Sequence, residues 1–382
     1  MSVFIARHTW LVKRLSRVKW RVLLRKLHLF LGLSFGLLFS FLGITGGLLV
    51  FEHEIDEQLN PALLTVSEPV HSYALDKILA AAMAHDKTFR AERLETPRSA
   101  SGVFLIRGKH IVGSEQQHLD ILINPTNNEV LGSRVWGEYA MSFIYKLHYT
   151  LLLGESGSRV VGITGFMLLV MATTGIVLWW PKKGKWKQAM RIKWRAKPIR
   201  IVWDFHRCIG FFSSVLLMVI ALSGFYMTFS HYANPIVNWI SPLTPPPENP
   251  ASKITANNVQ ITLHEVAKIA DSTFPETELK RIYFPKSPNG VFQVVKREPN
   301  SAIKSGGYSR VWIDQYSGEV LALRSAKTFT PGDYFVSLQF PLHNGKAMGL
   351  PGRLLVISVS VVPLVLFLTG FFVWRKRSVA QR

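Results

Sequence analysis

Residues 26–56 read KLHLFLGLSFGLLFSFLGITGGLLVFEHEID, and residues 206–232 read HRCIGFFSSVLLMVIALSGFYMTFSHY. His28, Gly32, Gly46, Phe51 and His53 return at a constant offset of 178 as His206, Gly210, Gly224, Phe229 and His231. Further out, Leu147-His148, Thr174-Gly175 and Trp179 return at an offset of 195 as Leu342-His343, Thr369-Gly370 and Trp374. Between them, Ile123-Asn124 and Glu129-Val130-Leu131 return at an offset of 190 as Ile313-Asp314 and Glu319-Val320-Leu321. Recurrence of this length marks two copies of one unit, and the unit carries histidines at the edges of apolar runs.

Four windows, 29–51, 160–180, 208–230 and 354–374, contain no charged residue and no histidine, and each has at least 21 residues. At about 1.5 Å per residue, each can cross a hydrocarbon core of roughly 30 Å as a helix. The expected fold class is an α-helical membrane protein: a four-helix transmembrane bundle with two α+β domains outside it, internally duplicated. The net charge of +21 would suggest a nucleic-acid partner if its position were ignored. Residues 1–27 hold eight Lys and Arg, residues 181–205 hold nine, residues 375–382 hold four, and Asp204 is the one acid among them. Basic flanks confined to one end of every span are the positive-inside signature, so the charge is topological and no nucleic acid is expected. The expected order is a cytoplasmic basic N-terminus 1–27, spans 28–51, 160–180, 206–230 and 354–374, outside domains 52–159 and 231–353, a cytoplasmic loop 181–205 and a cytoplasmic tail 375–382. The first span is too long for a signal core, no small-residue cleavage site follows it, and the third span copies it, so it is read as retained.

Each outside segment has the size of a small domain. The first suggests a helix at 75–84, strands near 93–96, 102–107 and 119–124, and a turn at Pro125-Thr126-Asn127-Asn128. The second repeats the order with a helix near 263–271, strands near 280–284, 291–296 and 309–314, and a turn at Gln315-Tyr316-Ser317-Gly318. The proline-rich 242–250 and the stretch 297–307 suggest linker and loop. No glycine-rich phosphate loop follows a strand, no dinucleotide fingerprint opens a helix, and no Ser-His-Asp spacing stands out. Cys208 is the single cysteine, which excludes internal disulfides and cysteine-ligated clusters.

The histidines are the chemistry. His28 and His206 open the first and third spans at their basic ends, where a lone histidine would be an interfacial residue. Matching positions in duplicated helices instead suggest two imidazoles facing across a bundle, a standard axial pair for haem iron. His148 and His343, ahead of the second and fourth spans in apolar segments suited to an interfacial helix, suggest a second haem towards the other face. His53 and His231 are weaker candidates for that outer role. His8, His71, His85, His110, His118 and His264 have no partner by repeat and are expected at the surface. Glycines along the spans either allow close helix packing or make room for a macrocycle. Trp179, Trp180, Trp186, Trp194, Trp203 and Trp374 suggest interfacial belt anchors.

The run Leu27-His28, Gly32, Thr45-Gly46, Phe51-Glu52-His53-Glu54-Ile55-Asp56 and Asn60-Pro61 resembles the opening of the PepSY-associated transmembrane proteins. So do Leu147-His148, Gly165, Thr174-Gly175 and Trp179, and Gly318-Glu319-Val320-Leu321 resembles the strand-turn-strand of the PepSY domain. Length and layout are similar to the inner-membrane siderophore-iron reductases of that family, and the likeness covers nearly the whole chain. The second copy departs at Ser230-His231-Tyr232, where the acidic run is missing. The resemblance implies two b-type haems, periplasmic PepSY-like domains, a bacterial inner-membrane location and reduction of a periplasmic ferric siderophore, a hydroxamate by type, with release of Fe(II). The electron donor would be a quinol or a cytoplasmic reductase, and membrane lipid the surrounding partner. Two rival readings are a permease for iron, haem or siderophore, which the uncharged spans argue against, and a non-enzymatic PepSY membrane anchor.

The charge distribution makes a direct prediction. Alkaline phosphatase fused at residue 190 should be inactive and at residue 300 active; activity at 190 would overturn the topology.

Overall fold

The computed structural model describes residues 20–67, 74–112, 115–254, 259–299 and 306–379. His8, His71, most of the basic N-terminus and the last three residues lie outside them, as does part of the 297–307 stretch. In chain order the elements are α1 (Trp20–Leu49), α2 (Glu52–Leu59), α3 (Leu75–His85), β1 (Arg90–Glu95), β2 (Phe104–Val112), β3 (Glu115–Ile123), β4 (Val130–Val135), α4 (Ala140–Thr150), α5 (Gly154–Trp179), α6 (Pro198–Thr228), α7 (Ser230–Ile240), α8 (Leu263–Thr273), β5 (Glu278–Tyr283), β6 (Val291–Arg297), β7 (Tyr308–Asp314), β8 (Val320–Arg324), α9 (Pro331–His343), α10 (Leu350–Ser360) and α11 (Val362–Val379). They divide into two compact units. One holds α1, Leu153–Phe229 and the chain from Leu354 onward; the other is Leu49–Leu152 with Ser230–Arg353.

The first unit is helical. Trp20–Leu49, Gly154–Trp179, Pro198–Thr228 and Leu350–Val379 are each long and apolar enough to cross a membrane. Each helix begins before its apolar window, because backbone hydrogen bonding continues through flanks whose Lys and Arg stems can run along apolar surface with the charge in water. The fourth span is interrupted at Val361, beside Pro363, which has no N–H to give to the preceding turn. A methyl group at Gly43 would collide with the Ser360 carbonyl, and one at Gly47 with the Ser360 hydroxyl. These two glycines, one turn apart, let α1 lie against the interruption, a small-residue contact of the kind that drives helix association in lipid. Gly162 and Gly165 serve α5 against α6 in the same way, facing Thr228 and the Ala221 carbonyl.

The second unit is built on one eight-stranded antiparallel sheet in the order β4-β3-β2-β1-β5-β6-β7-β8. Where the sequence suggests two small domains, the structure joins both segments into one sheet with one core. The join is the β1–β5 pair, with Arg93 opposite Tyr283, Leu94 opposite Ile282 and Glu95 opposite Arg281. It is reinforced by Phe284 N–H donating to the Glu92 carbonyl at 3.0 Å and by the Thr96 hydroxyl donating to the Leu279 carbonyl at 2.9 Å. Asp76, in the first turn of α3, accepts from the backbone of Leu263 at 2.7 Å and of His264 at 3.2 Å, capping the neighbouring α8. Each segment contributes four strands. The additional edge strands β4 and β8 are short, so their period-two signal is weak.

Alternation sorts the faces. Leu94, Ile106, Ile121, Ile282, Val294, Val311 and Ile313 are fully buried on one face, against Ile78 and Ala82 of α3 and Val266 and Ala270 of α8. The opposite face carries Arg93, Arg107, Asp120, Arg134, Arg281, Arg310 and Arg324. Both expected turns connect β3 to β4 and β7 to β8, with Asn128 at φ 61° and Gly318 at φ 75° in the left-handed position.

The seam is the vulnerable point. Leu94→Ala should cost about 2–5 kcal/mol as a buried cavity and lower the thermal midpoint of the solubilised protein. Val320→Ala, on an edge strand at 37% exposure, should leave it nearly unchanged.

Candidate functional site: paired histidines

The Nδ1 of His28, on α1, lies 3.0 Å from the hydroxyl of Thr174 on α5. The Nδ1 of His206, on α6, lies 2.9 Å from the hydroxyl of Thr369 on α11. Each threonine also faces a carbonyl of its own helix: Thr174 donates to Met171 at 2.9 Å and Thr369 to Val365 at 2.7 Å. A hydroxyl has one proton, and with that proton on the carbonyl the oxygen accepts from Nδ1–H. Both rings are thereby set in the tautomer that leaves the Nε2 lone pair as the available ligand. The residue after each threonine is glycine for a related reason. A methyl at Gly175 would stand 3.3 Å from Cε1 of His28, and at Gly370 3.1 Å from Cε1 of His206, closer than either ring tolerates without moving. The recurring Thr-Gly pair is thus a cradle for the recurring histidine. Trp203 lies parallel to His206 at 6.2 Å.

His148 sits in the last turn of α4 and His343 ends α9. Their ring centroids are 6.2 Å apart with planes inclined at 54°. Two imidazoles bound on opposite sides of one metal at about 2.0 Å per bond have centroids roughly 6 Å apart, so the spacing fits a shared metal. Both helices end here, and their C-terminal dipoles favour positive charge. The sheet fixes the helices at their starts. Tyr139, the residue before α4, donates its hydroxyl to Asp120 of β3 at 3.1 Å. Asp333 of α9 receives Arg324 of β8 at 2.6 Å and completes a capping box with Thr330.

His53 and His231, equivalent in sequence, differ in surroundings. His53 accepts from the Arg98 guanidinium at Nδ1 and has Glu52 3.2 Å from Nε2, so both ring nitrogens are engaged. Burial, followed by the charges of Arg98, Lys346 and Arg353, pushes its pKa down to about 2. Burial also raises the Glu52 carboxyl and lowers the Lys346 ammonium, each opposing the pull of the other's charge. His231 is exposed beside Tyr232. His85, His118 and His264 are exposed, as expected, whereas His110 is half-buried in a cluster with Asp86 and Thr88. Trp179 departs from the belt expectation: it is 7% exposed and stacks on Phe211 at 3.5 Å. Among the described residues no three His, Cys, Asp or Glu side chains gather to hold a metal ion.

A neutral, half-buried His53 has a definite effect on stability. Its folded pKa lies below the unfolded value near 6.5, so between those values the unfolded chain takes up a proton that the folded chain does not. Stability is full above about pH 6.5 and falls as the pH drops below it. The thermal midpoint should decline from pH 7 to pH 5 less steeply in His53→Gln than in the wild type; equal slopes would refute the assignment.

The family described as PepSY-associated TM region matches residues 25–377 of the chain, which include the four apolar windows and all six paired histidines. No curated protein matches it.

Proposed function

This chain belongs to the PepSY-associated TM family, and on that footing we propose that it is a haem-containing membrane reductase delivering electrons to a ferric siderophore. The observation that carries the reading is the pairing of histidines: two on the helical unit with Nε2 left free by threonine, and two on the sheet unit at 6.2 Å. Two imidazoles per site leave the remaining coordination positions to a non-protein ligand, as a porphyrin provides. Haem held on each pair would supply reversible one-electron iron chemistry with no open position for oxygen.

The residues divide the work. His28 and His206 are the ligands near the basic ends of the spans, with Thr174 and Thr369 holding each proton on Nδ1. His148 and His343 are the ligands of the outer site, His53 being committed to Arg98 and Glu52. In this reading, which the basic segments flanking the spans support, both termini and residues 181–205 are cytoplasmic and the sheet unit is periplasmic, in a bacterial inner membrane. The two halves are read as a duplicated unit. Electrons enter from a quinol or a cytoplasmic reductase and leave to the chelate. One electron converts Fe(III) to Fe(II), which hard oxygen donors hold more weakly, and iron is released.

The purified protein should carry two b-type haems. His28→Ala and His206→Ala should each lose the inner one, and His148→Ala or His343→Ala the outer one. Thr174→Val, which keeps the volume but removes the acceptor, should weaken haem retention about 10- to 100-fold, while Thr174→Ser restores it. Chemically reduced protein mixed with a ferric siderophore should reoxidise with Fe(II) appearing in step. A colourless protein, or haem that stays reduced with every ferric chelate but reoxidises with quinone, would overturn the proposal.

A further inference from the structure

The two halves of the charged sheet face are not electrically alike. In the first half the registered row is Arg93, Arg107, Asp120 and Arg134 across β1 to β4. In the second half it is Arg281, Val295, Arg310 and Arg324 across β5 to β8. The acid of the first row is enclosed: Asp120 holds Arg107 through both oxygens and also accepts from Tyr139. Arg134 is held by Asp56 at 2.7 Å and 2.9 Å. At the position equivalent to Asp120 the second row has Arg310. That residue is exposed, and the groups acting on it are Tyr283, Arg324 and Arg281, with no carboxylate among them. Arg324 is taken by Asp333. Arg281 shares Glu95, at 3.2 Å, with Arg93 at 3.0 Å and Arg98 at 3.6 Å. Among the described ion pairs, Arg93, Arg281 and Arg310 therefore have one carboxylate, Glu95.

The excess charge has a shape. Arg281 and Arg310 stand two strands apart, about 10 Å, on either side of the small Val295. One step along the strands, on the same face, Tyr283 and Trp312 flank Gln293 in the same way. The result is a trough walled by two cations and two aromatic rings. Guanidinium groups bind delocalised oxygen anions in a fork geometry and can stack on rings. Arg281 is shared between Glu95 and the Tyr283 hydroxyl, and Arg310 is the trough cation with no carboxylate among the described ion pairs.

We propose that the trough formed by Arg281, Val295, Arg310, Tyr283 and Trp312 is the seat of a ferric chelate of net negative charge. The inference rests on the reductase reading for the presence of a chelate, and it moves the substrate class from the hydroxamate suggested by resemblance to anionic chelates with catecholate or carboxylate donors. The first half, with Asp120 in place of Arg310, has no such seat.

The test uses redox-silent gallium(III) in place of iron, so that binding is read separately from reduction. The full-length protein in detergent micelles is titrated with a trianionic gallium(III) tricatecholate and with a neutral gallium(III) trihydroxamate, by calorimetry. The tricatecholate should bind the more tightly, with an affinity that falls as salt rises. Arg310→Gln should weaken it about tenfold, the scale of one charge-assisted contact. Arg310→Asp, which puts an acid at the position of Asp120, should abolish it. Trihydroxamate binding, thermal midpoint and haem absorbance should stay unchanged in both variants. Equal affinity for the two gallium complexes, or tricatecholate binding unaffected in Arg310→Asp, would overturn the seat while leaving the reductase reading intact. Loss of haem in the arginine variants would also overturn it, assigning the arginines to the cofactor. Haem-free protein that still binds the tricatecholate would uphold the seat and sink the reductase reading.

Discussion

Three residue pairs at the β1–β5 seam set the dimensions of the sheet unit. With the two meanders running outward from that seam, β4 and β8 lie at opposite edges, seven strand spacings or about 34 Å apart. Each edge strand is followed by a helix, α4 of 11 residues and α9 of 13. Laid end to end at about 1.5 Å per residue these cover about 36 Å, which matches the distance between the edges. Two helices that start near opposite edges can therefore meet at their C-termini, where His148 and His343 face each other. The seam, together with the Asp76 cap and the shared core, fixes how far apart those two helices begin.

The helical unit depends on a smaller constraint. A threonine in a membrane helix returns its hydroxyl proton to a carbonyl one turn back, because lipid offers no other acceptor. Its oxygen is then an acceptor aimed away from its own helix. At Thr174 and Thr369 that acceptor meets an imidazole, and glycine at the next position keeps the ring from being displaced. A pattern that looks like ordinary small-residue packing thus selects one protonation state of a histidine on another helix. Gly43 and Gly47, by contrast, serve only close approach to the interrupted fourth span.

The charged face differs in sign between its two halves. The same register positions carry Asp120 in one half and Arg310 in the other. With Val295 where the first half has Arg107, the Asp120–Arg107 ion pair has no counterpart in the second half. The half-buried group around His53 is closed in the other sense: Glu52, Arg98, Lys346 and Arg353 supply both charges around a ring whose pKa is lowered.

Spans, repeats and the four principal histidines were legible in the sequence because each rests on local composition or on exact spacing. An apolar window must be helical in lipid whatever surrounds it, and a residue recurring at a fixed offset needs no partner to be noticed. The Thr-Gly repeats were visible too, but not their role, since nothing local says which helix a threonine will face. The joining of two segments into one sheet was hidden, because β1 and β5 pair across almost two hundred residues and each also reads as the first strand of a small domain. The separation of His53 from His231, the burial of Trp179 and the contrast of Asp120 with Arg310 were hidden for the same reason. Sequence determines which residues a strand or helix presents at each step; which of them find a counter-charge, a ring or an acceptor opposite depends on the pairing of distant segments, and only the tertiary structure decides that.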